Sequence, residues 1–205
     1  MKTNRFLGRL ALAIVAAQLL LMLVTWVVTA ALPQLPVRSL LSAEALRWLF
    51  GQFTSNLLSP ILVWLLLAFM AAGTVRASGC GSAVVTLFSR RSLLFRQTLG
   101  LWLVAFELLA FVVVTLLLTC VPHAILLSVT GHLFPSSFSR GLLPMLAAML
   151  IVMSLSYGVA SGTLSTLGHV HAACTQGLRR MAVYMPVYIL LVQFYYSLAF
   201  VFFWE

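Results

Sequence analysis

Residues 10–32 have the sequence LALAIVAAQLLLMLVTWVVTAAL, which contains no charged side chain. A helix needs about 20 apolar residues to cross the hydrocarbon core of a bilayer, and this run is long enough. Over the whole chain of 205 residues, 63% are hydrophobic, 7% are charged, and the mean hydropathy is +1.13. A water-soluble domain of this size would expose much of that apolar surface. The sequence therefore predicts an integral membrane protein.

The first apolar run has two interpretations. Lys2, Arg5 and Arg9 precede it, as basic residues precede the core of a signal peptide, and residues 29–31 form an acceptable cleavage site. A signal-peptide core, however, has only about 7–15 apolar residues. The length favours an uncleaved first transmembrane helix, and a cleaved signal peptide is the alternative.

The remaining sequence predicts an all-α, polytopic membrane protein whose residues 1–205 form a single transmembrane domain. We expect about five spans, at 10–32, 57–75, 99–121, 141–163 and 183–204. Residues 39–53 predict an amphipathic interfacial helix with Ser42 as its cap and Trp48 as its anchor. The apolar segment after Pro122 is too short to cross and is a candidate re-entrant segment. Residues 76–97 predict a hairpin or an interfacial helix, and residues 164–182 a loop.

The basic residues indicate how the chain is oriented. The net charge is +9, and the positive side chains stand in short clusters at the ends of apolar runs, as anionic headgroups favour. We therefore expect the lipid bilayer as partner and no nucleic acid. With the N-terminus inside, all lysines and arginines fall on cytoplasmic segments except Arg38, Arg47 and Arg140. This asymmetry predicts a bacterial inner-membrane protein with a cytoplasmic N-terminus and an external C-terminus.

Glu107 is the most informative single position. It lies about a third of the way into the predicted third span, where a charged carboxylate is costly unless it is protonated, paired or hydrated. One interpretation is a carboxylate that couples protons or cations, or that contacts a cationic partner. The other is a neutral acid that hydrogen-bonds a neighbouring helix or reaches water at the cytoplasmic end. The polar residues expected at a similar depth are Ser154, Ser156 and Gln193.

Other patterns give little indication of chemistry. His169, His171 and Cys174 are three close candidate ligands, but without a fourth ligand they favour an ordinary loop over a metal site. Small residues of the fourth span, such as Gly158 and Ser161, permit close helix contact. The sequence contains no phosphate-binding glycine loop. We expect no catalytic residue, no enzymatic activity, no metal and no cofactor.

One stretch resembles a known family. The sequence SLLSAEALRWL at 39–49, TSN at 54–56, and GTVRASG at 73–79 resembles the N-terminal part of the p-aminobenzoyl-glutamate transporter (AbgT) family. That family has a first span, an interfacial helix and a second span opened by a Thr-Asn-Phe and Pro-Leu-Gly element. The positions that carry the resemblance are Glu44, Arg47, Trp48, Asn56, Pro60, Gly73, Ser78 and Gly79.

The resemblance also has departures. Family transporters are more than twice as long, and their substrate sites lie in later hairpins that have no counterpart in this sequence. Arg76 and Ala77 stand where the family has glutamate and lysine, and Ala45 replaces a glycine. The resemblance implies a truncated transporter or transporter subunit for an organic anion or an efflux substrate, and it implies self-association. The alternative is a non-transporting membrane partner or scaffold subunit of a larger complex.

Overall fold

The computed structural model describes residues 2–89, 94–120 and 137–203, and these ranges contain helices and no strand. Five segments of the described chain are long and apolar enough to cross a membrane, which confirms an all-α polytopic membrane protein. The helices of the described residues are α1 (Lys2–Ala31), α2 (Ala43–Leu57), α3 (Pro60–Ser78), α4 (Cys80–Phe88), α5 (Phe95–Cys120), α6 (Ser137–Ser161), α7 (Leu167–Ala182) and α8 (Met185–Phe202).

The helix bounds follow local signals. The predicted interfacial helix begins at Ala43 rather than at residue 39, because the Ser42 side chain accepts a hydrogen bond from the Ala45 amide and caps the helix there. The predicted second span begins at Pro60, since proline lacks the amide hydrogen that an interior helical position must donate. Together α2 and α3 form one apolar segment, Ala43–Ser78. An interfacial location for α2 stays a prediction.

Two connections differ from simple loops. The loop predicted at 164–182 is wrong, because residues 167–182 form the helix α7. Apolar residues recur along α7 at helical spacing and form one face of the helix. That face contains the buried Ala173 and Met181, whereas Arg179 and Arg180 are exposed. Between 76 and 97 the described residues include the helix α4, which follows Gly79 with its φ of 75°, and an interfacial location for this helix stays a prediction. The candidate re-entrant segment after Pro122 lies outside the described residues.

Residues 1–63 and 181–205 form the first of two compact units. In this unit α8 packs against α1 and α2 around the buried Leu40, Ala45, Phe200 and Val201. The break between α2 and α3 is held by the Tyr188 hydroxyl, which hydrogen-bonds the Ser59 hydroxyl at 3.0 Å and donates to the Leu57 carbonyl at 3.3 Å.

Residues 64–180 form the second unit. Its largest interface joins α5 to α6, and α4 packs against both helices around the buried Tyr157. Helices α3 and α7 approach each other at Gly73 and Gly177, where a β-carbon on either residue would overlap backbone atoms of the other helix. Only glycine permits this close contact, as at small-residue interfaces of membrane helices.

Candidate functional site

Glu107 lies midway along α5. The helix begins at Phe95, several residues before the predicted start of the third span, so that 12 residues precede Glu107 in α5. At 1.5 Å per residue, the glutamate stands about 18 Å from either helix end. Because Arg96 and Gln97 are polar, the longer helix does not change the depth in the membrane that the sequence predicts for Glu107, and both interpretations of its side chain stay predictions.

The side chain of Glu107 borders a crevice of about 440 Å³ between α5 and α6. Among the described residues, its buried Oε2 atom has no hydrogen-bond partner. The lining is otherwise apolar and rich in methionine: Ala110, Phe111, Met145, Ala148, Met149, Val152 and Met153.

The sequence pattern explains why α6 presents this lining. Its crevice residues stand at 145, 148, 149, 152 and 153, which is the spacing of a single helix face. That face carries methionine and alanine rather than a hydroxyl, amide or cation. An ionised carboxylate opposite it costs about 2.5–3.5 kcal/mol on membrane-insertion scales. The Oε2 atom of Glu107 therefore has no polar partner on this face of α6.

The two serines predicted at the depth of Glu107 do not line the crevice. Ser154 is buried on another side of α6, and its hydroxyl donates to the Ile151 carbonyl at 3.0 Å. This local bond satisfies the hydroxyl within its own helix. Ser156 is half-buried and is likewise absent from the lining.

Gln193 belongs to the first unit and borders a different, smaller crevice of about 220 Å³, shared with Gln18 of α1. Both polar atoms of the Gln193 amide are buried, and neither has a hydrogen-bond partner among the described residues. The Gln18 Nε2 atom donates to the Ser197 hydroxyl at 2.9 Å. Gln18 is not among the site residues predicted from the sequence, although a lone amide in an otherwise apolar run is a recognisable signal of helix pairing.

The α2 positions that carry the family resemblance lie in the first unit, and their surroundings differ from one position to the next. Glu44 forms an ion pair with Arg38 at 3.8 Å, and Trp48 stacks on Phe200 with ring centroids 4.7 Å apart. Arg47 is exposed. Asn56 is buried, and its Nδ2 atom has no partner among the residues that the structure describes.

The motif positions of α3 serve turns and packing. Pro60 begins the helix, and Gly73 contacts α7. The fully buried Ser78 accepts a hydrogen bond from the Cys80 amide through its hydroxyl, and its carbonyl accepts one from Thr163. Gly79 takes the left-handed conformation that lets α4 follow directly. Structural roles are sufficient to explain these residues.

The small-residue face of α6 is filled within the chain. A β-carbon on Gly158 would collide with the Leu164 side chain and come within 3.1 Å of Ser78. The Ser161 hydroxyl donates to the Gly158 carbonyl at 3.3 Å. The close helix contact that these small residues permit is therefore made in part within this chain.

The histidine and cysteine side chains that the structure describes lie on α4 and α7. His169 and His171 are exposed on α7, and the Nδ1 atom of His169 lies 3.3 Å from the Ser165 hydroxyl. Within the described ranges, no group of three histidine, cysteine or acidic side chains is placed to hold a metal ion. Cys80 and Cys174 are free thiols, and burial raises the pKa of the Cys80 thiol above its ordinary value.

Comparisons of the chain with protein-family models, with curated proteins and with solved structures found no match.

Proposed function

We propose that this chain is a transporter, or the substrate-binding subunit of one, and that it accepts a lipophilic cationic efflux substrate at Glu107. The observation that carries the proposal is the buried Oε2 atom of Glu107, which lacks a partner among the described residues and borders an apolar crevice. A cation that enters the crevice would supply the missing electrostatic partner.

The chemistry of the crevice distinguishes between the two predicted substrate classes. Among the described residues, the one ionisable group that lines it is the Glu107 carboxyl, which repels an organic anion and attracts a cation. The volume of about 440 Å³ lies within the range of small-molecule sites. Methionine side chains adapt to ligands of different shape, which suits an efflux substrate better than a single metabolite.

The position of the crevice provides a route of entry. Ala148 and Val152, which line it, are exposed on the lateral surface of α6. In a bilayer this surface faces lipid or another membrane protein. A lipophilic cation dissolves at the membrane and would reach Glu107 sideways, without an aqueous channel.

The test is binding and flux of tetraphenylphosphonium with the full chain in proteoliposomes. We expect saturable binding that Glu107→Gln lowers about tenfold or more and that Glu107→Asp partly retains, because aspartate keeps the charge. Glu205→Gln removes an equal charge at the end of the chain and serves as the control. Equal binding by wild type and Glu107→Gln would reject the proposal.

The second candidate function is that of a non-transporting membrane subunit. The observation that favours it is that the most apolar stretch of α5, the helix that carries Glu107, contributes no buried residue. A lysine or arginine from a helix of another protein would pair with Glu107 and cover this surface. Purification in mild detergent should then recover a second membrane protein in stoichiometric amount, and Glu107→Gln should release it. Recovery of this chain alone would exclude the subunit hypothesis.

Location and ancestry remain part of the proposal. The excess of basic residues on alternate connections supports a bacterial inner membrane with the N-terminus in the cytoplasm and the C-terminus outside. Reporter fusions at both ends test this orientation. The resemblance to AbgT transporters over residues 39–79 supports descent from a transporter scaffold and self-association, and both stay predictions.

A further inference from the structure

A second polar site lies in the first unit, where the end of α8 meets the start of α2. It is a cavity of about 350 Å³ in which the oppositely charged Arg38 and Glu44 face a group of aromatic rings. None of these residues contributes to the crevice at Glu107. The lining consists of Arg38, Glu44, Trp48, Tyr196, Ala199, Phe200 and Phe203.

Arg38 is held in place by backbone and rings rather than by strong side-chain hydrogen bonds. Its backbone amide donates to the Val201 carbonyl at 3.2 Å. The guanidinium carbon lies 4.0 Å from the ring centroid of Phe203 and 5.3 Å from that of Phe200, within cation–π range. The ion pair with Glu44 is loose at 3.8 Å, compared with about 2.8 Å for a charge-assisted hydrogen bond. A guanidinium has five N–H donors, so this geometry leaves donors for an incoming anion.

Glu44 and the rings provide the complementary half of the site. The Glu44 side chain is 68% exposed, so its carboxylate is accessible to a ligand. Trp48 and Tyr196 line the same cavity, and aromatic rings attract an ammonium group. A ligand that carries an anion and a primary amine close together matches both halves.

The position along α8 indicates where such a ligand resides. The cavity lies at the last turn of an apolar, membrane-spanning helix, among aromatic side chains of the kind that concentrate at the level of lipid headgroups. Arginine at this level suits the phosphate of a phospholipid.

We propose that this cavity binds the headgroup of a phosphatidylethanolamine-type lipid, with the phosphate on Arg38 and the ammonium between Glu44 and the rings of Trp48 and Tyr196. A primary ammonium donates hydrogen bonds to the Glu44 carboxylate, which the quaternary nitrogen of a choline headgroup cannot do. An anionic phosphoglycerol headgroup places no cation opposite Glu44. The order of affinity is therefore ethanolamine, then choline, then glycerol. This site is independent of the function proposed for Glu107.

The test is lipid titration of the full, detergent-purified chain followed by native mass spectrometry. The wild-type protein is titrated with three lipids that have identical acyl chains: phosphatidylethanolamine, phosphatidylcholine and phosphatidylglycerol. This first comparison requires no protein variant. We expect phosphatidylethanolamine to bind about tenfold more tightly than phosphatidylglycerol. Equal affinity for the three lipids would overturn the proposal.

Variants then assign the two halves of the site. Arg38→Gln should weaken phosphatidylethanolamine binding about tenfold, and Glu44→Gln should remove its advantage over phosphatidylglycerol. Arg47→Gln, an exposed arginine on α2 outside the cavity lining, is the matched control and should leave both affinities unchanged. If Arg38→Gln and Arg47→Gln lowered the affinity for phosphatidylethanolamine equally, the effect would come from general surface charge. That result would overturn the assignment of the phosphate to Arg38. Soluble phosphoethanolamine that binds as tightly as the lipid would overturn a membrane lipid as the occupant.

Discussion

Gly177 of α7 lies directly against the backbone of Phe69 in α3, so closely that a β-carbon on Gly177 would overlap the Phe69 carbonyl group. Gly73 contacts Gly177 from the same side, and the two glycines thus form a backbone-to-backbone contact. The helices α3 and α7 are far apart from each other in the sequence. The sequence predicts a loop for the segment that forms α7.

Substitution of Gly177 should be the most damaging small change in the second unit. Gly177→Ala forces α7 away from α3, and overpacking of this kind costs about 1–3 kcal/mol of stability. Gly168→Ala is the control on the same helix, because among the described residues a β-carbon there meets only the Thr166 side chain, at ordinary contact distance. Thermal unfolding in detergent should show a lower midpoint for Gly177→Ala than for Gly168→Ala. Equal midpoints would contradict the contact.

The stacking of Trp48 on Phe200 should contribute to the stability of the first unit. The planes of the two rings are inclined by 28°, and such aromatic pairs contribute about 0.5–1.5 kcal/mol beyond their burial. Trp48→Ala should therefore lower the unfolding midpoint. Trp102→Ala is the matched control, since Trp102 is 75% exposed on α5. A larger loss from Trp102→Ala than from Trp48→Ala would contradict this account.

Gln193 should make the folded protein less stable than a leucine at the same position would. Both of its side-chain polar atoms are buried without a partner among the described residues, and an unsatisfied buried group costs about 1–3 kcal/mol. Gln193→Leu should therefore raise the unfolding midpoint, whereas Gln176→Leu, on an exposed face of α7, should not. A lower midpoint in Gln193→Leu would mean that the amide holds a ligand, a water molecule or another chain.

Cys80 should react slowly with a maleimide while the protein is folded. Burial raises the pKa of its thiol, so at pH 8 the folded protein holds less of the reactive thiolate than the unfolded chain does. The half-buried Cys174 should react faster in a Cys120→Ser background. Because the thiolate is favoured in the unfolded chain, this group should also reduce the free energy of unfolding as the pH rises above the ordinary cysteine pKa. When Cys174→Ser is added to the same Cys120→Ser background, Cys80 is the remaining thiol, and its rapid labelling would refute its burial.

Local features were predictable to a useful degree. Ser42 was predictable as a cap because a serine just before a helical pattern is well suited to accept a hydrogen bond from a free amide of the first turn. The structure contains this hydrogen bond, from the Ala45 amide. The helix α7 was not predicted, because its low overall hydropathy resembles that of a loop, although its apolar residues recur at helical spacing. The start of α5 at Phe95 was not predicted, because Arg96, Gln97 and Thr98 make this first turn polar.

The sequence by itself determined that the chain is helical and crosses the membrane about five times, because each segment's length and hydropathy decide alone whether that segment can leave water. Only the tertiary structure decided which side chains meet. It placed Glu107 opposite the methionines of α6, Gln18 near Ser197, and Arg38 on the ring of Phe203. Lipid is as apolar as the helix surfaces, so hydropathy cannot select among the ways of pairing them, and the fit of small residues, rings and polar groups between distant segments does.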